Sequence, residues 1–349
     1  MKPNLTEREQ KILWATVERY IATAEPVGSK TLLQEYNFDI SSATIRSVLN
    51  ALDRWGLLYQ PHTSAGRVPS DSGYRVYVDD LLPAPSYELK QEAQQAVSAI
   101  KPDRFVSLEN ILKGVAQILA SLSGCMALVT APNTQLMRIR YLQLVPIDQQ
   151  KLMLIALSDS YHTASAIVDL PPTVDQELLD TELEILHNFL NTHLQGKKWS
   201  ELGSSLQWSE LDQQFQIYTE LLTDSLKKLM TSQNLRGQIF ISGLSELLRQ
   251  PEFNQSQQVQ GIVYLLESEQ TYLLPVLEIS ATQQVTVKIG SEIGIAPLQN
   301  CALVWSNYFC DREPVGSVGV LSATRMNYQK AIVCVGVVAD HLSTLVSHW

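Results

Sequence analysis

Cysteine is scarce in this chain: four residues in 349, at positions 125, 301, 310 and 334, with no CxxC pair among them. That scatter excludes a disulfide framework, and reduced, intracellular thiols are the expectation. Positive charge is also in short supply. Lys and Arg number 26 against 36 Asp and Glu, a net charge of −10, which excludes a chain coated throughout for nucleic acid or anionic lipid but leaves room for a local basic surface. Long hydrophobic runs are missing too. The span from Gly114 to Met137 is broken by Ser121, Ser123, Gly124 and Pro132, and the run from Ala331 to Ala339 is about half the ~20 residues that cross a bilayer. The opening stretch MKPNLTEREQKILW has no apolar segment after its basic residue, so no secretory signal is expected there. A cytoplasmic protein without membrane contact is the reading.

Chemistry-bearing motifs are equally sparse. No P-loop and no GxGxxG follows a predicted strand, and Gly316 and Gly319 read as part of a strand turn. His187 and His193 are six apart, so they do not share a helical face as i, i+4 metal ligands would. Ser225 and Lys228 spell SxxK without any supporting motif, which is the frequency of chance. No enzymatic activity, metal or cofactor is therefore expected.

What the sequence does contain is punctuation. At 45 % hydrophobic residues the chain is long enough for two or three domains, and no repeat or low-complexity tract interrupts it. Thr6 and Glu9 form a capping box ahead of a helical face of Ile12, Leu13, Thr16, Val17 and Tyr20. Pro26 and Gly28 interrupt, and Ser29 is placed to cap a short helix through Tyr36. Ser41 or Ser42 then caps a third helix, whose core positions Ile45, Val48, Leu49 and Leu52 precede a closing Gly56. The period changes next: Leu57 to Gln60 reads as a strand, Pro61 to Gly66 as a loop and Arg67 to Pro69 as a returning strand. Three helices and a hairpin make the element order of a winged helix-turn-helix. A further helix through Tyr74, Tyr77, Val78 and Leu81 stops at Pro83, and Pro83 to Ser86 is the best linker candidate.

The rest of the chain alternates. Leu108, Ile111, Leu112, Val115, Leu119 and Leu122 mark a helix; strands are expected at 125–130, 138–145, 152–157, 164–168, 238–242, 285–289, 303–305 and 318–321. Between them, two helical stripes stand out: Leu179, Leu183, Leu186 and Leu190, then Leu211, Phe215, Tyr218, Leu222, Leu226 and Leu229. A last helix turns Ile332, Val335, Ala339, Leu342 and Val346 inward. A helical block between two sets of strands reads as an insertion into one α+β domain.

The outward face of the third helix carries Ser42, Thr44, Arg46, Ser47, Asn50 and Arg54, with no Glu. Arg can grip guanine, Asn can grip adenine, and Ser or Thr can reach a base edge or a phosphate. Between Ile40 and Val78, four arginines (46, 54, 67 and 75) face Asp53 and Asp71, so the basic surface is expected there. The loop His62, Thr63, Ser64, Ala65, Gly66 ends on Arg67, a cation suited to the DNA backbone or the minor groove.

These residues resemble a known family. LTEREQKIL, EPVGSKTL, SSATIR at Ser41 to Arg46 and LLYQPHTSAGRVPSDSGYRVYVD are similar to the HrcA-type heat-inducible transcription repressors of bacteria. PEF at Pro251, VKIGSE at Val287 and TRMNY at Thr324 extend the likeness over nearly the whole chain. Ser47 stands where that family commonly has Asn, and Ser322-Ala323 where it commonly has Gly-Pro. The resemblance implies a winged-helix domain at 1–82, a GAF-like α+β domain at 83–168 and 251–349, and an inserted dimerising domain at 169–250. It also implies a homodimer on an inverted-repeat DNA operator upstream of chaperone genes, and the chaperonin as a partner that keeps the repressor active. DNA contact is accordingly expected from Ser41, Ser42, Thr44, Arg46, Ser47, Asn50, Arg54, His62, Thr63, Ser64, Gly66 and Arg67. Dimer contact is expected from Leu211, Phe215, Tyr218, Leu222 and Leu229, because a segment of about 80 residues has little volume in which to bury two long apolar stripes. A regulator triggered by a metabolite and an enzyme with an accessory winged helix are the competing readings.

Overall fold

The computed structural model describes residues 4–348 apart from 63–64, 101–107, 134–137, 159–162, 172–178, 203–214, 232–237, 254–255, 278–283 and 311. Helix α1 (Glu7–Thr23) begins where the capping box places it, with the Thr6 amide donating to Glu9 Oε2 at 2.8 Å and the Glu9 amide to Thr6 Oγ1 at 3.4 Å. Helix α2 (Ser29–Glu35) has Gly28 as its N-cap, which has no side chain to bond with, and the expected cap Ser29 is the first helical residue, its hydroxyl 3.0 Å from Ser42 Oγ. Helix α3 (Ser42–Arg54) takes Ser41 as its N-cap. It closes at Gly56 (φ 71°), where the Gly56 amide bonds Asp53 O and the Leu57 amide bonds Leu52 O. Strands β1 (Leu58–Tyr59) and β2 (Val68–Pro69) pair antiparallel, and α4 (Asp71–Val76) follows, continuing into a π turn at Tyr77–Leu81. Ile12, Leu13, Val17, Leu32, Ile45, Leu52, Leu57 and Leu58 bury the centre of this unit.

Helices α5 (Tyr87–Ser98) and α6 (Leu108–Ser123) lead into strand β3 (Met126–Thr130). Its neighbours come from far along the chain: β7 (Ile239–Ser242), β8 (Thr286–Ile289), β9 (Cys301–Cys310) and β10 (Glu313–Ala323) complete an antiparallel sheet in the order β7-β3-β10-β9-β8. Every residue of β3 is buried, because the sheet is covered on both faces. Ala127 and Val129 share a core with α5, α6 and the final helix α11 (Tyr328–His348), whereas Met126 and Leu128 share one with α9 (Leu244–Leu248) and α10 (Ser256–Ser268). Helix α11 is long and apolar enough to cross a membrane, but it is layered on β9, with Val335, Ala339 and Leu342 buried.

The segment between β3 and β7 is a unit with its own core. Strands β4 (Ile139–Asp148), β5 (Lys151–Ser158) and β6 (Thr163–Asp169) form a separate antiparallel sheet, on which α7 (Leu179–Leu194) and α8 (Gln216–Thr231) lie. The insertion expected at 169–250 is therefore shifted: β4 to β6 belong to it, while β7 and α9 belong to the larger sheet. Adjacent strands in sequence read alike, and only their pairing partners separate the two sheets. Leu183, Leu186, Leu190, Tyr218, Leu222, Leu226 and Leu229 pack onto Leu142, Leu152, Leu154 and Val168 in one cluster. The stripe expected to face a second protomer is thus internal. Phe215, Tyr218, Leu222 and Leu229 are at most 3 % exposed, having found their partner in the three strands rather than in another copy; Leu211 lies outside the described residues. On the edge strand β4, the amide and carbonyl of Leu142 are both taken by the Asn191 side chain, at 2.9 and 2.7 Å, so this edge is blunted.

The N-terminal unit is joined to the larger sheet by a continuous core and by directed polar contacts. Tyr74 and Tyr77 lie against Tyr328, with ring centroids 5.8 and 6.3 Å away. Arg75 donates to Glu292 through Nε (3.0 Å) and Nη2, to Val287 O (2.7 Å) and to Asp79. Asp71 accepts from the Ser291 amide at 3.1 Å. Gly290 stands beside that carboxylate with φ 55°, and a Cβ there would run into it. On the other side, Arg325 reaches Glu252 (2.6 Å), Gln250 (2.8 Å) and the carbonyl of Ile21 in the last turn of α1 (3.0 Å), where a cation suits the exposed carbonyls. Even the linker candidate is held, since Gln329 donates to Ala84 O at 3.1 Å.

Burial also sets the thiol chemistry: it pushes Cys301 up to about 12 and Cys334 up to about 11, and raises Cys125 as well. Only the thiolate attacks an alkylating reagent. At pH 8 the partly exposed Cys310 is expected to be labelled well before the other three, as mass spectrometry of peptides after short exposure to iodoacetamide would register.

Candidate nucleic-acid interface

Helix α3 buries Ile45, Leu49 and Leu52 and leaves the opposite face open. Arg46, Ser47, Asn50 and Arg54 are exposed along one line of the helix, at i, i+1, i+4 and i+8. No partner holds Arg46 or Arg54 among the described residues. Ser41, Ser42 and Thr44 have structural employment instead: Ser41 caps the helix and also bonds Thr44 Oγ1 at 2.9 Å, and Ser42 is bonded to Ser29. Their hydroxyls are engaged near the start of the helix.

The hairpin stands beside this face. His62 is exposed, while Thr63 and Ser64 lie outside the described residues. The base of the hairpin is stitched to the segment before α2, with the Val27 and Arg67 amides exchanging bonds to each other's carbonyls at 2.9 and 2.8 Å. Gly66 is required at this crossing, since a Cβ would come within 2.5 Å of the Val27 backbone. Arg67 departs from expectation. Its guanidinium lies over α3, with Nε 2.8 Å from Asp53 Oδ2 and Nη2 donating to Asn50 Oδ1 at 2.9 Å, and the side chain is 15 % exposed. Arg75 is turned to Glu292 on the far side of the unit. Of the four arginines counted as a basic surface, two are thus neutralised internally, and the open positive charge consists of Arg46 and Arg54, supplemented by Lys30. Sequence reasoning passed over Lys30. It joins Gly28, Ser29, Arg46, Asn50, Gln60 and Arg67 around a groove of about 390 Å³ between α2, α3 and the hairpin.

The remaining motifs have packing roles. His187 bonds the Tyr141 hydroxyl at 3.0 Å, and the His193 ring lies 4.4 Å from Phe189. The Ser225 hydroxyl donates to Leu221 O within its own helix. Gly316 and Gly319 sit inside β10 rather than in a turn, under Tyr308 and Trp305.

Comparison with known proteins supplies the lineage. The family model for the HrcA protein C-terminal domain matches residues 109–332. A protein of Trichormus variabilis named heat-inducible transcription repressor HrcA is 49 % identical over 99 % of this chain and its own full length. One from Nostoc punctiforme is 48 % identical over the whole of both chains. A crystal structure of a hypothetical protein, 24 % identical and covering 99 % of each chain, superposes with a TM-score of 0.63, so the fold is shared. On these matches, together with an α+β fold that leaves one basic helix face open, the chain belongs to the HrcA family of heat-inducible transcription repressors.

Proposed function

We propose that this chain is a homodimeric repressor of chaperone operons, in which the N-terminal unit acts as a winged helix-turn-helix and the five-stranded sheet with its helices is the GAF-like domain. The observation that carries the reading is the face of α3: Arg46, Ser47, Asn50 and Arg54 are exposed along one line of a helix whose opposite side buries Ile45, Leu49 and Leu52. Arg46 and Arg54 offer the forked donors that recognise guanine in a major groove. Two such helices related by a two-fold axis would read an inverted repeat.

The same reading needs a dimer surface, and the insertion offers one on its other side. Val145, Met153, Ile155, Leu157 and Ile167 line the outward face of β4 to β6 in register, with Ile167 53 % exposed. A second copy laid on that face would remove it from water. Release by heat needs a change of only a few kcal/mol in fold or dimer, since bound and free populations are separated by that much. The chaperonin fits as a modulator that renews the folded form.

Footprinting on DNA upstream of the host's chaperonin genes tests the reading. Protection of two half-sites is expected. Arg46→Ala is expected to weaken binding there by about 1–3 kcal/mol while leaving random DNA nearly unaffected. An equal loss on both, in titrations at fixed salt, would remove Arg46 from the readers.

A further inference from the structure

We propose that Arg67 is a positioning residue that sets the amide of Asn50 with its NH2 group toward DNA, so that Asn50 reads a hydrogen-bond acceptor on a base rather than gripping adenine with both ends. The proposal rests on the reading of α3 as the groove helix and deepens it. A guanidinium only donates, so the atom of Asn50 that lies 2.9 Å from Arg67 Nη2 is necessarily the carbonyl oxygen. Arg67 itself cannot swing away freely. Asp53, one turn further along the same face, holds Nε at 2.8 Å, and the backbone of Arg67 is stitched to Val27 on both its amide and its carbonyl. The oxygen of Asn50 is thereby turned toward the hairpin, and the exposed remainder of the side chain is a donor.

Adenine recognition by Asn needs Nδ2 on N7 and Oδ1 on the N6 amino group together. With the oxygen committed to Arg67, the NH2 alone faces the groove. It finds acceptors on guanine (N7, O6), adenine (N7) and thymine (O4), but meets a like donor in the N4 amino group of cytosine. Arg67 therefore acts on specificity through Asn50 without touching a base.

The test is a panel of duplexes, derived from the footprinted half-site, in which each position in turn carries all four base pairs. At one position the wild-type protein is expected to accept three bases and to bind cytosine about tenfold less well, within the range of a mismatched readout pair. Asn50→Asp, which replaces the outward donor by an acceptor, is expected to reverse that preference toward cytosine. Arg67→Ala is expected to free the amide and create a preference for adenine at the same position. Arg67→Lys, which keeps the charge but not the fork, is expected to do the same, so the effect cannot be assigned to lost phosphate attraction. Far-ultraviolet circular dichroism with thermal melts establishes that each variant is folded. A uniform loss of affinity for Arg67→Ala and Arg67→Lys on every duplex, with base preference unchanged, would overturn the proposal and make Arg67 a backbone contact. Should Arg46→Ala and Asn50→Ala both leave every preference unchanged, the reading of α3 as the groove helix fails first.

Discussion

Placing Asp at Ile167 is expected to leave each protomer folded and to turn the proposed dimer into a monomer, whereas placing Asp at Leu222 is expected to unfold the insertion. The two leucine-sized side chains differ in their surroundings rather than their chemistry. Leu222 is wholly buried, packed with α7 and the inner face of β4 to β6. A carboxylate there loses the packing, worth about 2–5 kcal/mol for truncation alone, and adds the desolvation of a charge without a partner. Ile167 points from the other face of the same sheet, beside Met153 and 53 % exposed, where a charge in the protomer keeps its access to water. In a dimer built on that face it would sit opposite its symmetry mate's surface. Losing the second half-site contact removes the gain from effective concentration, so affinity for the full inverted repeat should fall by about 10²-fold or more while half-site affinity is kept. Sedimentation velocity and far-ultraviolet circular dichroism on both variants decide the matter. A folded, dimeric Ile167→Asp protein would move the interface off this sheet.

Removing Arg75 and Arg325 together is expected to relax the spacing that the proposed dimer demands between half-sites. The rings of Tyr74, Tyr77 and Tyr328 attach the N-terminal unit to the larger sheet by apolar contact, which is non-directional. The angle is fixed by hydrogen bonds: Arg75 on Glu292 and Val287 O, Asp71 on Ser291, and Arg325 bridging Glu252, Gln250 and the end of α1. Bonds to charged groups contribute about 1.5–3 kcal/mol each when sheltered and less where water reaches them, as at Glu292. The Arg75→Ala/Arg325→Ala protein should stay folded on its continuous core, yet tolerate one base pair added between half-sites, a change that rotates one site against the other by about a tenth of a turn. The wild-type protein should lose about tenfold or more, at 1.4 kcal/mol per decade, on the same duplex. Faster amide exchange at Ser291 would accompany the change. A spacing preference identical to wild type would show that the clamp plays no part in orientation.

How much of this was legible in advance depended on the range of the forces involved. The capping box of α1, the periods of α1, α3 and α6 and the hairpin at 58–69 are local, and the sequence displays them. The separation of β4 to β6 follows from β3 pairing with β7 and β10, both more than a hundred residues away, and nothing in Ile139 to Val168 distinguishes a strand of one sheet from a strand of another. The stripe of Tyr218, Leu222 and Leu229 shows the same difficulty, because periodicity reveals that a face is buried but not against what. On the exposed face of α3 the residue types are readable, but the engagement of Arg67 is not, since Asp53 and Asn50 meet it only when the hairpin folds back onto the helix. VKIGSE and TRMNY carried family likeness without a role until Glu292 and Arg325 were found against Arg75 and α1.

The point where the insertion leaves the larger sheet has an engineering consequence. Thr130 at the end of β3 and Ile239 at the start of β7 are register partners, so the 108 residues between them depart and return at neighbouring backbone positions. In ladder terms they occupy the place of an ordinary hairpin loop, and a two-residue Asn-Gly turn spans the same gap. A chain closed in that way should keep its strand register and its N-terminal unit and, on the proposed dimer surface, lose the means to pair with a second copy. Any other pairing module of suitable symmetry could then be spliced at the same two residues, making the distance between two N-terminal units a property chosen independently of the rest of the molecule.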